Sequence, residues 1–243
     1  MQQLQGKRVL ITGGARRIGR ALALSMAQAG AHVAITYRTS EREARRTLSE
    51  IGARDTHGLS VRCDLGDPQS IDRTVKTVVR ELGGLDILIN NAGLYETVAF
   101  DKITPAQWDT VFAANVRGPF LMTQAAAPHL RRRHGKIVNL GSLGGIRPWV
   151  THAHYCASKA ALHMLTRLSA KALAPEIAVN CVAPGMIELS ERPSQAGKKL
   201  AAKSPMRRTG SAEDVVEAVM FFATATHFIT GQLLVVDGGL ELA

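Results

Sequence analysis

The chain has 243 residues, 46% hydrophobic and 21% charged, ordinary values for a globular protein long enough to bury a sizeable core in one domain. It holds no apolar run near the ~18–20 residues that span a bilayer, its first residues lack the apolar core of a secretory signal, and Cys63, Cys156 and Cys181 have neither metal-ligand nor disulfide-framework spacing, so the cytoplasm is the expected compartment and no membrane is involved. The formal net charge of +10 comes from basic residues scattered along the chain with few aromatics beside them, a pattern of solubility plus an anionic ligand rather than a nucleic-acid footprint.

Val9, Leu10 and Ile11 form a short apolar run, expected as a strand buried on both faces. The turn Thr12-Gly-Gly-Ala-Arg-Arg-Ile-Gly19 follows, and helical spacing runs from Ile18 to Met26. Strand, glycine-rich turn and helix open a dinucleotide-binding βαβ unit, because backbone amides at a helix N-terminus must come close to a pyrophosphate. Gly13, Arg16, Arg17, Ile18 and Gly19 are therefore candidate cofactor residues. Gly30 is expected to close the helix, and a second strand spans 31–37. Arg38 stands at the end of that strand, where a carboxylate would bond a free ribose 2′-hydroxyl and an arginine accommodates a 2′-phosphate. No carboxylate appears before Glu41, and Arg16 and Arg17 lie in reach of the same phosphates. The expected cofactor is NADP(H).

A helix over about 41–51 and a strand over 59–63 lead to Asp64. Asp67-Pro68 caps and starts a helix to about Leu82, which Gly83-Gly84 breaks. The strand at 86–89 delivers Asn90-Asn-Ala-Gly93. Thr104-Pro105 opens one long helix with Trp108, Val111, Phe112, Val116, Phe120 and Leu121 on its apolar side. A strand at 136–140 ends near Ser142, a helix over about 152–174 carries Tyr155 and Lys159, and Pro175 stops it. Strands at 177–182 and 232–236 complete the pattern, with a turn at Pro184-Gly185. This alternation predicts an α/β, doubly wound parallel seven-stranded sheet (a Rossmann fold) in a single domain over 1–243, with ligand at the carboxyl ends of the strands. Met186 to Gly210 lacks strand periodicity and is expected to be a solvated, mobile substrate lid. Its cations, Arg192, Lys198, Lys199, Lys203, Arg207 and Arg208, outnumber Glu188 and Glu191, which makes an anionic substrate or acidic carrier protein the sharper alternative. Arg131-Arg-Arg133 would help it, or would simply complement a helix dipole.

Tyr155 and Lys159 are four apart on a helix and share a face. A phenol of pKa about 10 is a poor acid at neutral pH. A neighbouring ammonium is expected to favour the phenolate and lower that value. Such a tyrosine can protonate a carbonyl oxygen while hydride arrives at carbon, with Ser142 bonding and aiming that oxygen. The histidines at 129, 134, 152, 154 and 163 match no zinc spacing and are expected mostly at helix ends and surface turns, so no metal is assigned. Cys156 is read as packing.

These motifs together resemble the short-chain dehydrogenase/reductases, from Thr12-Gly13 to Val236-Asp-Gly-Gly239. Tyr155-Cys-Ala-Ser-Lys159 matches the family's Tyr-x-x-x-Lys, and Ser142 its catalytic serine. Asn115 matches its active-site asparagine, Asp64 (with Leu65 after it) its aspartate at the adenine, and Asn90-Asn91-Ala92-Gly93 its Asn-Asn-Ala-Gly motif after the strand. Pro184-Gly185, with Ile187 beyond, matches its turn beside the nicotinamide. The resemblance implies that Tyr155 is the acid/base, that Lys159 binds the nicotinamide ribose and tunes it, that Ser142 positions substrate, and that Asn115 supports a proton relay. It also implies a homo-oligomer, a tetramer built through the long helices and last strand.

Two departures stand out. Arg17 replaces the middle glycine of the family turn, which resembles pteridine reductases, although Ser142 and the intact Asn-Ala-Gly differ from the protozoan ones. Leu189 stands where a threonine commonly contacts the carboxamide, leaving that contact to backbone groups or Ser190. The expected activity is carbonyl reduction with NADPH, 3-oxoacyl thioesters being one substrate class and carrier-linked forms included. Pterin reduction is the enzymatic alternative. A non-catalytic NADPH sensor is the alternative of another kind, and it would not need Ser142, Tyr155, Lys159 and Asn115 together.

Overall fold

The computed structural model describes residues 3–52, 56–188 and 195–242. Seven strands, β1 (Arg8–Ile11), β2 (His32–Tyr37), β3 (Gly58–Arg62), β4 (Ile87–Asn90), β5 (Lys136–Leu140), β6 (Ala178–Pro184) and β7 (Leu233–Val236), form one sheet. Their order is β3-β2-β1-β4-β5-β6-β7, and every neighbouring pair is parallel. Successive side chains of a strand point to opposite faces. Val9 and Ile11 accordingly join one hydrophobic core with Leu22, Met26, Val219 and Phe222. Leu10, between them, joins the other with Val75, Val78, Met122 and Leu130. Both faces are covered, as the continuous apolar run requires.

The order reverses at β1, which has β2 on one side and β4 on the other. A ligand crevice opens at that switch point, beyond the carboxyl ends of the strands. The helices α1 (Arg17–Gln28), α2 (Glu41–Gly52), α3 (Pro68–Leu82) and α6 (Ala153–Leu173) stand where the sequence pattern places them. Asp67 caps α3 by accepting from Gln69 N, with Pro68 opening the helix.

The segment after Thr104 departs from expectation. It is α4 (Pro105–Phe112), a π-helical turn (Ala113–Arg117), and α5 (Gly118–Arg131). The wide turn rotates the second half relative to the first, so the apolar residues do not share one face. Val111 is buried, whereas Trp108 is 39% and Phe120 45% exposed. Two further helices are absent from the sequence reading: α7 (Gln195–Lys203) and α8 (Ala212–Thr224). For α8 the signal was present, because Ser211 and Asp214 form a reciprocal capping box.

Candidate active site

The carboxyl ends of β1 to β4 frame a cleft of about 480 Å³. Helix α1 begins there with no capping side chain and no acid in its first turn. Its leading N–H groups are thus left for an anion, which the helix dipole also favours. Thr12 ties the turn to the loop after β4: its hydroxyl accepts from Asn91 N and Ala92 N, both at 3.0 Å, and Asn91 Nδ2 donates to Thr12 O at 2.8 Å. At Gly19 a Cβ would run into the Gly13 carbonyl and lie 2.6 Å from Asn91 Nδ2, so only glycine lets the turn and loop close. Asp64 accepts from Gly66 N at 2.8 Å.

Eleven residues expected to hold a dinucleotide do line this cleft: Gly13, Arg16, Arg17, Ile18, Gly19, Arg38, Asp64, Leu65, Asn91, Ala92 and Gly93. Arg16, Arg17 and Arg38 are exposed, and among the described residues none has a carboxylate at ion-pairing distance. Arg17 has φ +53°, the left-handed conformation that a glycine would adopt freely and that costs another residue ~1–2 kcal/mol. Thr36, Leu94 and Ala114 are among the further lining residues. Thr36, whose hydroxyl accepts from Gly13 N at 3.1 Å, carries no sequence signal of its role; Leu94 and Ala114 arrive by tertiary approach.

Beyond Gly93 the side chains become buried. Lys159 is 5%, Ser142 4% and Asn115 0% exposed. The π turn delivers Asn115, whose Oδ1 accepts from Leu94 N at 2.8 Å. Its Nδ2 donates to Leu94 O at 2.9 Å and to Ser158 Oγ at 3.0 Å. A Cβ on Gly93 would lie 3.0 Å from Asn115 Oδ1 and 3.6 Å from Lys159 Nζ, so the cleft and the buried lysine meet at this glycine. Lys159 Nζ donates to Leu140 O at 2.7 Å and stands 5.8 Å from the centre of the Tyr155 ring.

Burial pushes the Tyr155 phenol up to about 12, while the Ser142 hydroxyl, hydrogen-bonded to it, pulls the other way. This corrects the expectation of a phenol already made acidic by the ammonium: desolvation wins, and Tyr155 is a protonated phenol in the resting site. Burial also lowers Lys159 to about 8, which leaves it mostly charged at neutral pH.

Four of the five histidines stand at helix ends or turns, as expected: His129 in the last turn of α5, His134 in the turn after it, His152 at the N-cap of α6 and His154 in its first turn. His154 is fully buried and His163 is 9% exposed; both lie within α6. His163 Nε2 accepts from Ser142 N at 3.3 Å, and burial pushes His163 down to about 4, so it is a neutral acceptor fixing the backbone of the serine. The only sequence hint was its place two turns after Tyr155 on the helix.

Pro184 ends β6, Gly185 N donates to Val236 O at 2.9 Å, and Ile187 forms a bridge with Gly210. These three stand at the same edge but outside the lining of the cleft, as Tyr155 and Lys159 do. Leu189, Ser190, Glu191 and Arg192 lie outside the described residues.

The rest of the 186–210 segment is more structured than the expected mobile loop. It contains α7, and Met186 O and Glu188 N are both bonded to Gly210. Two of its cations are engaged: Arg208 makes two bonds of 2.6 Å to Asp214, and Arg207 donates to Ala202 O at 2.8 Å. Arg131 to Arg133 sit at the end of α5, just before β5 begins, with Arg133 bonded to Gly83 O at 3.1 Å. Within the chain that is the amino edge of the sheet, opposite Ser142, so the triplet does not flank the cleft.

Comparison with known proteins agrees with this geometry. Residues 13–241 match the family profile described as enoyl-(acyl carrier protein) reductase. The 3-oxoacyl-[acyl-carrier-protein] reductase FabG of Staphylococcus aureus is 35% identical over 242 residues, covering 97% of this chain and 98% of that one. The (2S)-[(R)-hydroxy(phenyl)methyl]succinyl-CoA dehydrogenase subunit BbsD of Thauera aromatica is 36% identical over 248 residues, covering 98% of each. A crystal structure of a short chain dehydrogenase from Burkholderia cenocepacia in complex with NADP superposes with a TM-score of 0.93 at 36% identity, over 98% of this chain and 99% of that one. The chain is an oxidoreductase of the short-chain dehydrogenase/reductase family.

Proposed function

We propose that the protein reduces ketones with NADPH, 3-oxoacyl thioesters being the leading substrate class. The observation that carries this is the meeting of the Tyr155 phenol, the Ser142 hydroxyl and the Lys159 ammonium at the Gly93 end of the cleft. Arg38, with Arg16 and Arg17, holds the 2′-phosphate, as bidentate guanidinium recognition of phosphate favours. The backbone of Gly13, Ile18 and Gly19 holds the pyrophosphate, Asp64 and Leu65 border the adenine, and Asn91, Ala92 and Gly93 border the ribose. Lys159 binds the nicotinamide ribose, and Pro184, Gly185 and Ile187 wall the ring.

The reduced cofactor supplies a hydride for the carbonyl carbon. Ser142 bonds the carbonyl oxygen and holds it against Tyr155. Tyr155 gives its proton to that oxygen as negative charge builds there. Its raised affinity keeps that proton in place until then, and the nearby Lys159 ammonium stabilises the phenolate that remains. Asn115 supports the relay by fixing Leu94 and Ser158 around the lysine.

Carrier-linked thioesters fit the names of relatives such as FabG, and the exposed Lys198, Lys199 and Lys203 on the 186–210 lid suit an acidic carrier. A homotetramer is in keeping with exposed apolar residues on α4–α6 and β7: Trp108 at 39%, Met164 at 54%, Leu168 at 60% and Leu234 at 38%. No helix among the described residues is long and apolar enough to cross a membrane.

The pterin reading raised by Arg17 is not favoured: relatives matched over nearly their whole length carry 3-oxoacyl-[acyl-carrier-protein] reductase and (2S)-[(R)-hydroxy(phenyl)methyl]succinyl-CoA dehydrogenase names. The deciding experiment follows NADPH oxidation with free and carrier-linked 3-oxoacyl thioesters and dihydrobiopterin, over a salt series. Thioester turnover that disappears in Tyr155→Phe supports the proposal. Turnover of the pterin alone would replace it, and equal, salt-independent turnover of free and carrier-linked forms would remove the carrier.

A further inference from the structure

We infer that the substrate side of the site is shaped for a ketone bearing a flat aromatic group, seated against Tyr95 and Trp149. The inference rests on the carbonyl-reductase reading above and names its substrate class.

Aromatic residues are scarce, 5% of the chain, with three tyrosines and two tryptophans in all. One tryptophan, Trp149, and one other tyrosine, Tyr95, meet at the proton donor, itself a tyrosine. The Tyr95 ring stands edge-on to Tyr155, with centroids 4.9 Å apart and planes at 86°. Trp149 lies nearly parallel to Tyr155, at 6.2 Å and 14°. His152 stacks on Tyr95 at 4.7 Å and 26° and meets Trp149 edge-on at 5.8 Å.

The rings are held from two directions. Both nitrogens of His152 are bonded, one to Thr97 Oγ1 and the other to Thr151 Oγ1, each at 2.9 Å. Val98 N donates to Thr151 O at 2.9 Å, which staples the loop after β4 to the loop before α6. His152 is kept below its ordinary value chiefly by burial and then by His154, so it backs Tyr95 as an uncharged plate. Trp149 rests on backbone beside the serine: a Cβ on Gly144 would lie 3.1 Å from its ring.

Tyr95 nevertheless remains 60% exposed. A wall of this kind offers an alkyl chain only the burial of its area. An aryl group gains the same burial and, in addition, ~0.5–1.5 kcal/mol for each well-placed ring pair. A cluster that served only to join the two loops would have no need to leave Tyr95 this exposed next to the proton donor.

The test compares two esters that differ only beyond the ketone, ethyl 3-oxo-3-phenylpropanoate and ethyl 3-oxohexanoate. Their kcat/KM ratio is measured with NADPH for the wild type, Tyr95→Leu and Trp149→Leu. Comparing the ratio between proteins cancels the intrinsic reactivity of the two ketones. The expected result is an aryl-to-alkyl ratio that falls about tenfold in each leucine variant, the loss of roughly one ring pair. A ratio unchanged within about twofold of wild type, on the scale of that ring-pair gain, overturns the inference, because a purely structural cluster lowers both arms together. Trp149→Phe, which keeps a ring, should retain most of the preference and serves if the leucine variant does not fold. Turnover of neither ester by wild-type protein that binds NADPH overturns the inference, whereas the carbonyl-reductase reading falls only if the 3-oxoacyl thioesters are not turned over either.

Discussion

The two halves of the site are made from opposite materials. The nucleotide half is backbone and exposed cations: an uncapped helix start, a glycine that admits no Cβ, and Arg16, Arg17 and Arg38 with no carboxylate at ion-pairing distance among the described residues. The half proposed to carry the chemistry is buried and already bonded, with Asn115, Ser142 and Lys159 each within 5% exposure and each engaged by neighbouring backbone or side-chain groups. Charge in solvent suffices to attract a phosphate. Moving a proton needs a group whose affinity has been displaced, and in this chain burial does the displacing. The two halves should therefore fail in separable ways.

The largest effect should come from Tyr155→Phe. Removing a positioned proton donor should lower kcat by ~10²–10⁴, while NADPH affinity, measured by fluorescence titration, stays near wild type. A comparable loss of affinity would show that the halves are not independent. Next, Arg38→Asp should weaken NADPH binding by ~10–100-fold, the loss of one or two charge-assisted bonds, with kcat at saturating cofactor little changed. NADH binding should weaken far less; equal losses would remove Arg38 from the 2′-phosphate.

His163→Leu should cost about tenfold in kcat by releasing the Ser142 backbone, with affinity for NADPH retained. His163→Gln, which keeps an acceptor, should recover part of the loss, and failure to do so would reduce His163 to packing.

Lys159 joins the two halves and gives the pH test. Burial lowers it to about 8, so it carries its charge below that value and loses it above. NADPH affinity of the free enzyme should decline as pH rises through about 8, and Lys159→Met should flatten the profile in that range. An unaltered profile would mean that the lysine does not see the cofactor. The smallest effect belongs to Arg17→Gly. Relief of the left-handed conformation, set against the greater freedom of glycine in the unfolded chain, should stabilise by up to about 1 kcal/mol. That corresponds to ~2–4 °C in Tm for a chain of this size, with NADPH binding weakened at the same time.

The same division runs through what could be read in advance. The residues from Gly13 to Gly93 were legible because local backbone demands write themselves as glycine, strand-end arginine and helix start. The helical spacing of Tyr155 and Lys159 was legible for the same reason. The sign of the tyrosine's shift was not, since adjacency on a helix says nothing of how much solvent the fold removes. Nor was the break in the helix after Phe112, because a π turn leaves the apolar spacing looking continuous. The basic triplet at 131–133 carried two readings, a substrate aid or a complement to a helix dipole, and its place at the end of α5 on the amino edge of the sheet leaves the second.

By itself the sequence determined the alternating strands and helices, the parallel sheet and the identity of the chemical groups, since each depends on periodicity or on contacts between near neighbours. Only the tertiary structure decided which groups are dry and which cations are engaged. It also decided which rings gather around Tyr155. Burial and ring packing are sums over residues far apart in the chain, and no local pattern records them.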